Sequence, residues 1–286
     1  MALIAGVILA LTLGNPFTEV TQKWASALLK ASVVGLGFGL DLNNVLSTSI
    51  DNLWLTIFTI VIALAAGLLL GKIMRIEMNL SILISTGTAI CGGSAIASMS
   101  PVIRAKQEQI LVAISIVFIL NAIALYIFPL IGNYLNLTQE QFGLWAALGI
   151  HDTSSVVGAA SLYGEEALNI ATTAKLARAL WIIPLVIAAI FYMKRQNINK
   201  ENSIRLPYFI LLFVLASACS TFMTSTQTIA PHLVQLAKIG LVLSLLFMGA
   251  GITKKTIKNL DSKPLIQAVI LWLLISSISL LLILFR

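Results

Sequence analysis

Ten apolar stretches separated by short polar connections account for most of this chain. A transmembrane helix needs about 20 mostly apolar residues, so the pattern predicts an all-α integral membrane protein with about eight to ten transmembrane helices. The stretches are Ala2–Leu13, Trp24–Leu40, Leu53–Gly71, Leu80–Val102, Ile110–Ile131, Phe142–Tyr163, Leu168–Met193, Leu206–Met223, Ile229–Ala250 and Leu265–Phe285.

Two of these stretches, 80–102 and 142–163, carry glycines and small polar residues at their centres. The first contains TAICGGSA over Thr88–Ala95, and the second contains GIHDTSS over Gly149–Ser155. Such residues break helices because they compete for backbone hydrogen bonds. A break at bilayer depth is tolerated only where protein or water satisfies the freed groups. Both centres are therefore expected to face a polar interior rather than lipid.

Basic residues concentrate in four connections, which the positive-inside rule assigns to the cytoplasm. They are Lys72 and Arg75; Arg104 and Lys106; Lys194, Arg195, Lys200 and Arg205; and Lys254, Lys255, Lys258 and Lys263. Both flanks of 80–102 are therefore basic, whereas the flanks of 142–163 carry only Glu140, Glu165 and Glu166. We predict that the two stretches re-enter as hairpins from opposite faces, leaving about eight spanning helices. The alternative is a broken helix that crosses the bilayer.

Internal repeats agree with the hairpin topology. Gly37–Leu40 matches Gly249–Ile252 at an offset of 212 (249 − 37), and an apolar residue follows each at Val45 and Ile257. Residues 89–96 resemble 149–156 at an offset of 60 (149 − 89). Only the hairpin topology makes every matched pair run in opposite directions, which is typical of secondary transporters. We expect one transporter domain over 1–286, with first repeat elements in 1–131 and second repeat elements in 142–286.

Composition agrees with a bilayer environment. Only 10% of the residues are charged and 59% are hydrophobic, whereas a soluble domain averages about 25% charged residues. The net charge of +7 resides mainly in the connections, so it does not indicate nucleic-acid binding. Lys30 and Lys238 lie within apolar stretches near helix ends, where they can extend to the interface.

The two central breaks predict an anion-binding site. A helix that begins at mid-membrane presents unpaired N–H groups and a positive dipole end, and two such ends facing each other attract an anion. The alternative is that the small residues only allow close helix packing. The candidate substrate-binding residues are Thr88, Cys91, Gly92, Gly93, Ser94, Asp152, Thr153, Ser154, Ser155, Lys175 and Arg178.

Lys175 and Arg178 lie three residues apart on an apolar stretch and so share one helix face. Lys175 follows Glu166 by nine residues (175 − 166), a depth of about 13 Å in a helix. Ionisable groups at such depth are costly and usually functional. The alternative is a structural ion pair with Asp152, which still leaves one positive charge unmatched. His151 is either a proton-coupling group or a structural hydrogen-bonding residue.

Signatures of enzymes and metal sites do not occur in the sequence. It contains no Gly-x-Ser-x-Gly, His-Glu-x-x-His or Gly-x-x-x-x-Gly-Lys motif, and its two histidines are too few for a histidine-rich metal site. Cys91 and Cys219 both lie in apolar stretches and suggest no disulfide framework. We expect neither an enzyme nor a protein with a cofactor or metal.

Six segments in and near the two central breaks form recognisable motifs. They are Thr86–Ala97, Pro101–Ala105, Phe142–Trp145, Ile150–Val157, Tyr163–Ala167 and Lys175–Arg178. These motifs resemble the YeiH-type family, whose uncharacterised bacterial inner-membrane proteins are named as sulfate exporters. The resemblance extends from about Leu13 to the C-terminus. It implies a transporter of the broad cation–proton-antiporter and bile-acid-symporter group.

Together these features predict a multi-pass secondary transporter in the plasma membrane of a prokaryote. It would move a small inorganic or organic anion, sulfate or a related sulfur oxyanion, by alternating access. The alternatives are a cation/proton antiporter or a Na⁺-coupled organic-anion symporter that uses Asp152, and an anion channel. The expected partners are the anion and the lipid bilayer, without nucleic acid, and self-association into a homo-oligomer stays open.

Overall fold

A computed structural model describes residues 2–12, 14–195, 208–223, 228–251 and 262–285, which form α-helices and contain no strand. Outside this part lie Lys200, Arg205, Lys254, Lys255 and Lys258 of the basic connections, and Ile252 and Ile257 of the repeat. The helices are α1 (Ala2–Thr12), α2 (Thr18–Gly37), α3 (Leu42–Asp51), α4 (Leu53–Ile73), α5 (Met78–Ala89), α6 (Gly92–Val102), α7 (Gln107–Tyr134), α8 (Gln139–Gly149), α9 (Thr153–Tyr163), α10 (Glu165–Ala179), α11 (Ile182–Arg195), α12 (Tyr208–Phe222), α13 (Ala230–Ala250) and α14 (Ser262–Leu284).

The predicted all-α membrane fold is confirmed. Within the described ranges, 5 helical stretches are long and apolar enough to cross a membrane. One of them joins α10 and α11 into a single span. The five are Leu53–Ile73, Glu108–Tyr134, Glu165–Phe191, Ala230–Ala250 and Ser262–Leu284.

The helices form two compact units. The first unit comprises the described residues of 1–51 and 207–258, and the second, here called the hairpin unit, comprises those of 52–206 and 259–286. The predicted repeat elements, 1–131 and 142–286, do not coincide with these units, because each unit contains helices from both halves of the chain. The expectation of a single transporter domain over the whole chain stays a prediction.

In the first unit, α2 and α13 pack closely and run in opposite directions. A Cβ at Gly240 would lie 2.2 Å from the Ser32 hydroxyl oxygen, so the two helices are in close contact there. Ser244, one turn further along α13, donates to the Ala25 carbonyl on α2 at 3.0 Å. Lys30 and Lys238 are exposed on these helices.

In the hairpin unit, two glycines of α4 allow close contact with α5. A Cβ atom at Gly67 would lie 2.1 Å from Ser85 Oγ, and one at Gly71 would lie 1.9 Å from Ser81 Oγ. Gln267 on α14 bonds to both of these helices, since its Nε2 donates to Gly67 O on α4 and to Ser81 Oγ on α5, each at 2.8 Å. Small residues therefore let three helices pack at backbone distance, as they commonly do in membranes.

The segment α5–α6 turns back on itself. Gln109, in the first turn of α7, donates to the carboxylate of Glu77, which directly precedes α5. The same amide accepts from the Lys106 N–H at 2.8 Å. The start of α5 and the residues after α6 therefore lie together at the N-terminal end of α7, so this stretch is a helical hairpin.

The segment α8–α9 also turns back, at the other end of α7. Tyr163, the last residue of α9, donates its hydroxyl proton to the Leu137 carbonyl just before α8, at 2.6 Å. Gln139 Oε1 accepts from the Glu166 N–H at 3.1 Å. The absent Cβ of Gly132, near the C-terminal end of α7, would lie 3.0 Å from the Tyr163 ring. Both stretches are thus hairpins whose bases lie at opposite ends of α7, as predicted, and their re-entrance from opposite membrane faces stays a prediction.

The inverted repeat is confirmed in the lengths and directions of the helices. Adding 60 to the bounds of α5, α6 and α7 gives those of α8, α9 and the joined α10–α11 within three residues. Adding 212 to those of α2 and α4 gives α13 and α14 within three residues. On α4 and α14, Gly67 faces Leu271 while Gly71 faces Gln267, so this matched pair is antiparallel.

Candidate functional site

The tips of the two hairpins meet at the middle of α7, around Asn121. Its Oδ1 accepts from the main-chain N–H of His151 at 3.0 Å and from that of Asp152 at 3.3 Å. Asn121 is 3% exposed and lies halfway along α7. One buried amide therefore fixes the tip of α8–α9 at the centre of a span.

Gly92 brings the tip of α5–α6 to the same place. Its φ of +49° is a left-handed conformation that glycine adopts without a steric penalty. A Cβ there would lie 3.5 Å from both the Asp152 Cβ and the His151 carbonyl oxygen, and 3.1 Å from Val117. The two predicted breaks are thus neighbours in the folded hairpin unit.

The N-terminus of α9 already has a carboxylate cap. Asp152 Oδ2 accepts from the Ser154 N–H at 3.2 Å and also from the Ser154 hydroxyl. Asp152, Thr153, Ser154 and Ser155 are all buried, with at most 9% of each residue exposed. The chain itself thus supplies the negative charge that a helix N-terminus attracts.

The N-terminus of α6 differs from that of α9. Cys91 precedes the helix and gives it no side-chain cap. Cys91 and Gly92 are buried, whereas Gly93 and Ser94 are partly exposed and Ala97, one turn later, is exposed. A Cβ at Gly93 would approach only the Phe118 ring, at 3.8 Å. The more accessible helix start at the tips therefore belongs to α6.

Lys175 and Arg178 bind main-chain carbonyls at the ends of the half-helices. Both are 0% exposed and lie in the last part of α10. Lys175 Nζ donates to Ile150 O at 2.7 Å and to Ala147 O at 3.2 Å.

Arg178 joins the two hairpins. Its Nε donates to Ala89 O, at the end of α5, at 2.8 Å. Its Nη1 donates to Leu148 O, at the end of α8, at 2.6 Å. Carbonyls at helix C-termini lack partners within the helix and carry the negative dipole end. The two cations therefore satisfy half-helix ends rather than pairing with the Asp152 carboxylate.

The predicted site residues accordingly lie in one region. Thr88 lies in the last turn of α5, and Cys91 to Ser94 lie at the start of α6. Residues 151–155 form the tip of α8–α9. The sequence patterns do not single out Asn121. A lone amide at the centre of the apolar stretch 110–131 is the signal that would point to it.

Comparison with known proteins assigns the chain to a protein family. Its residues 1–268 match the model of the family described as "Conserved hypothetical protein 698". The chain belongs to this family. It is 46% identical over 281 residues to a UPF0324 membrane protein of Bdellovibrio bacteriovorus, covering 98% of this chain and 86% of that protein. It is 47% identical over 282 residues to one of Vibrio parahaemolyticus, covering 98% and 91%. No solved structure matches it.

In this member of the family, several buried polar atoms at the tips have no hydrogen-bond partner among the described residues. Such atoms are costly unless a ligand or water pairs with them. Asn121 Nδ2 and Arg178 Nη2 can only donate hydrogen bonds, so they suit a ligand that accepts them. The atoms are Thr88 Oγ1, Asn121 Nδ2, both ring nitrogens of His151 and Arg178 Nη2.

Proposed function

We propose that the protein is a secondary transporter that carries a small anion across the plasma membrane of a prokaryote by alternating access. The bacterial relatives carry membrane-protein names only, so the transport activity is inferred from the site. The resemblance to the YeiH-type family suggests a sulfur oxyanion as the cargo. It also suggests a relation to the cation–proton-antiporter and bile-acid-symporter group.

One observation carries the proposal: two inverted helical hairpins meet at the middle of a span, with buried cations at their tips. Broken helices that meet near the midplane within inverted repeats are the common plan of secondary transporters. The two repeats have opposite directions, so a site between their tips can be approached from either face in equivalent ways. This is the geometric requirement of alternating access.

The chemistry of the tips favours an anion. Lys175 and Arg178 are fully buried, and Asp152 is the one carboxylate buried with them in the described part of the hairpin unit. The unpartnered nitrogens of Asn121 and Arg178 donate and do not accept. An anion accepts hydrogen bonds and also offsets the excess positive charge.

Within this proposal the residues have different tasks. The start of α6 contacts the anion through the N–H groups of Gly92 and Gly93 and the Ser94 hydroxyl, because it is uncapped and partly exposed. Lys175 and Arg178 hold the half-helix ends in place and contribute positive potential. His151, with both ring nitrogens unpartnered among the described residues, couples a proton to transport. No enzymatic step or cofactor is involved.

The test is transport by the purified protein in lipid vesicles. We expect saturable uptake of labelled sulfate, sulfite, a sulfonate or a carboxylate, stimulated by the same anion inside the vesicles. Ser94→Ala should weaken uptake, whereas Ala97→Ser, one turn further on the same helix, should not. Uptake without countertransport would indicate a channel.

A buried carboxylate at the tips supports one other candidate, a cation/proton antiporter centred on Asp152. In that case a Na⁺ or pH gradient would drive flux, and Asp152→Asn would abolish it. Flux of cations with no response to any anion would replace the anion proposal.

A further inference from the structure

Three charged side chains are buried in the described part of the protein, and all three lie at the hairpin tips. Lys175 and Arg178 are each 0% exposed, and Asp152 is 9% exposed. The two cations are held by carbonyls at the C-terminal ends of α5 and α8. Asp152 adjoins Gly92 and caps α9. These three groups set the formal charge of the site in the state in which the imidazole of His151, also buried at the tips, is neutral.

The helix ends at the tips contribute partial charges that cancel in pairs. Each hairpin brings one C-terminus and one N-terminus to its tip. An N-terminus carries about +0.5 and a C-terminus about −0.5 of an elementary charge. The ends of α5 and α8 therefore offset the starts of α6 and α9, and the side chains decide the sum.

The formal sum of the buried side chains is one positive charge (2 − 1), from two cations and one carboxylate. A proton that moved from Lys175 to Asp152 would leave this sum unchanged, because the cation and the anion would both become neutral. The sum thus holds for either arrangement of that proton.

We infer that the cargo is a singly charged anion, an inference that rests on the proposed transport function. A monoanion brings the buried site to zero net charge. A dianion such as sulfate leaves one uncompensated negative charge at a depth where charge is poorly solvated. Coulomb energies are large in such surroundings, so the site discriminates by charge among ions of similar shape.

Methanesulfonate and sulfate provide a matched pair of probes, because they differ by a methyl group in place of one charged oxygen. Dissociation constants are measured on the purified wild-type protein at constant ionic strength. We expect methanesulfonate to bind at least about tenfold more tightly than sulfate, or about 1.4 kcal/mol. Sulfate binding at least as tight as methanesulfonate would overturn the inference and leave anion transport standing. Binding of no anion would overturn both.

A charge-changing variant tests the sum directly. Asp152→Asn raises the formal charge at the tips by one and retains a residue that caps helix N-termini well. The ratio of the two dissociation constants should move at least about tenfold toward sulfate. Glu140→Gln, which removes an exposed carboxylate on α8, should leave the ratio unchanged. An unchanged ratio in Asp152→Asn would contradict the charge argument, and the wild-type ratio decides the matter if that variant does not fold.

Discussion

The substitution Arg178→Lys isolates the contact that joins the two hairpins. The guanidinium donates from Nε to Ala89 O at 2.8 Å and from Nη1 to Leu148 O at 2.6 Å. A lysine keeps the positive charge but has a single nitrogen at the end of a flexible stem. That nitrogen cannot occupy the positions of Nε and Nη1 together, so it retains one of these carbonyls at short distance and leaves the other buried without a well-placed donor.

The expected loss follows from that unpaired carbonyl. A hydrogen bond to a charged group contributes about 1.5–3 kcal/mol, and a buried acceptor without a partner costs about 1–3 kcal/mol. The two energies are not added, because both describe the loss of the same hydrogen bond. We therefore expect a destabilisation of about 2 kcal/mol. A unit of this size loses about 2–4 °C in Tm per kcal/mol, which predicts a decrease of about 4–8 °C.

The assay is thermal unfolding of the purified protein in detergent, with and without a bound anion. Arg75→Lys is the matched control, because Arg75 is exposed at the connection before α5 and surface substitutions change stability by about 0.5 kcal/mol or less. Since Arg178→Lys keeps the charge of the tips, the preference between methanesulfonate and sulfate should persist. A Tm equal to that of the wild type would refute the conclusion that Arg178 stabilises the protein by joining the two hairpins.

Three further predictions follow from packing and topology. Gly67→Ala should lower stability by about 1–3 kcal/mol because its Cβ would overlap Ser85. Adding Ser85→Gly should restore the Tm, and no rescue would contradict the contact. Tyr163→Phe should cost about 0.5–1.5 kcal/mol, because it removes the hydroxyl that closes the base of α8–α9; an unchanged Tm would show that this bond is dispensable. In a background without native cysteines, single cysteines at Arg75 and Arg104 should react with an impermeant thiol reagent from the same face, and labelling from opposite faces would refute the α5–α6 hairpin.

Most of the fold could be predicted from the pattern of apolar and small residues. Charge around 80–102 and 142–163 predicted hairpins, because loops rich in Lys and Arg are retained on one side of a membrane. The offsets of 60 and 212 in sequence reappear as matched helix bounds. These features can be recognised in the sequence because the bilayer requires a certain length and hydropathy of each spanning helix by itself. The basic residues at positions 254, 255 and 258 lie outside the described residues, so that part of the charge pattern stays a prediction.

The candidate residues came from the same pattern, but their partners came only from tertiary structure. Lys175 and Arg178 bind the carbonyl oxygens of Ile150, Ala89 and Leu148. Every residue has such an oxygen, so no side-chain pattern marks these acceptors. A carbonyl becomes an unpaired acceptor only when its helix ends, and it becomes a partner only when folding brings that end to α10.

The difference between the two hairpin tips is likewise a tertiary property. In sequence both breaks contain small and polar residues of similar kinds. Asp152 caps α9 through a local bond to Ser154, whereas the tertiary structure buries the start of α9 and leaves the uncapped start of α6 partly exposed. The sequence by itself determined a membrane protein with two inverted, broken elements. The tertiary structure decided that the start of α9 is buried beside Asn121 while the start of α6 stays partly exposed, because burial depends on neighbours that are distant along the chain.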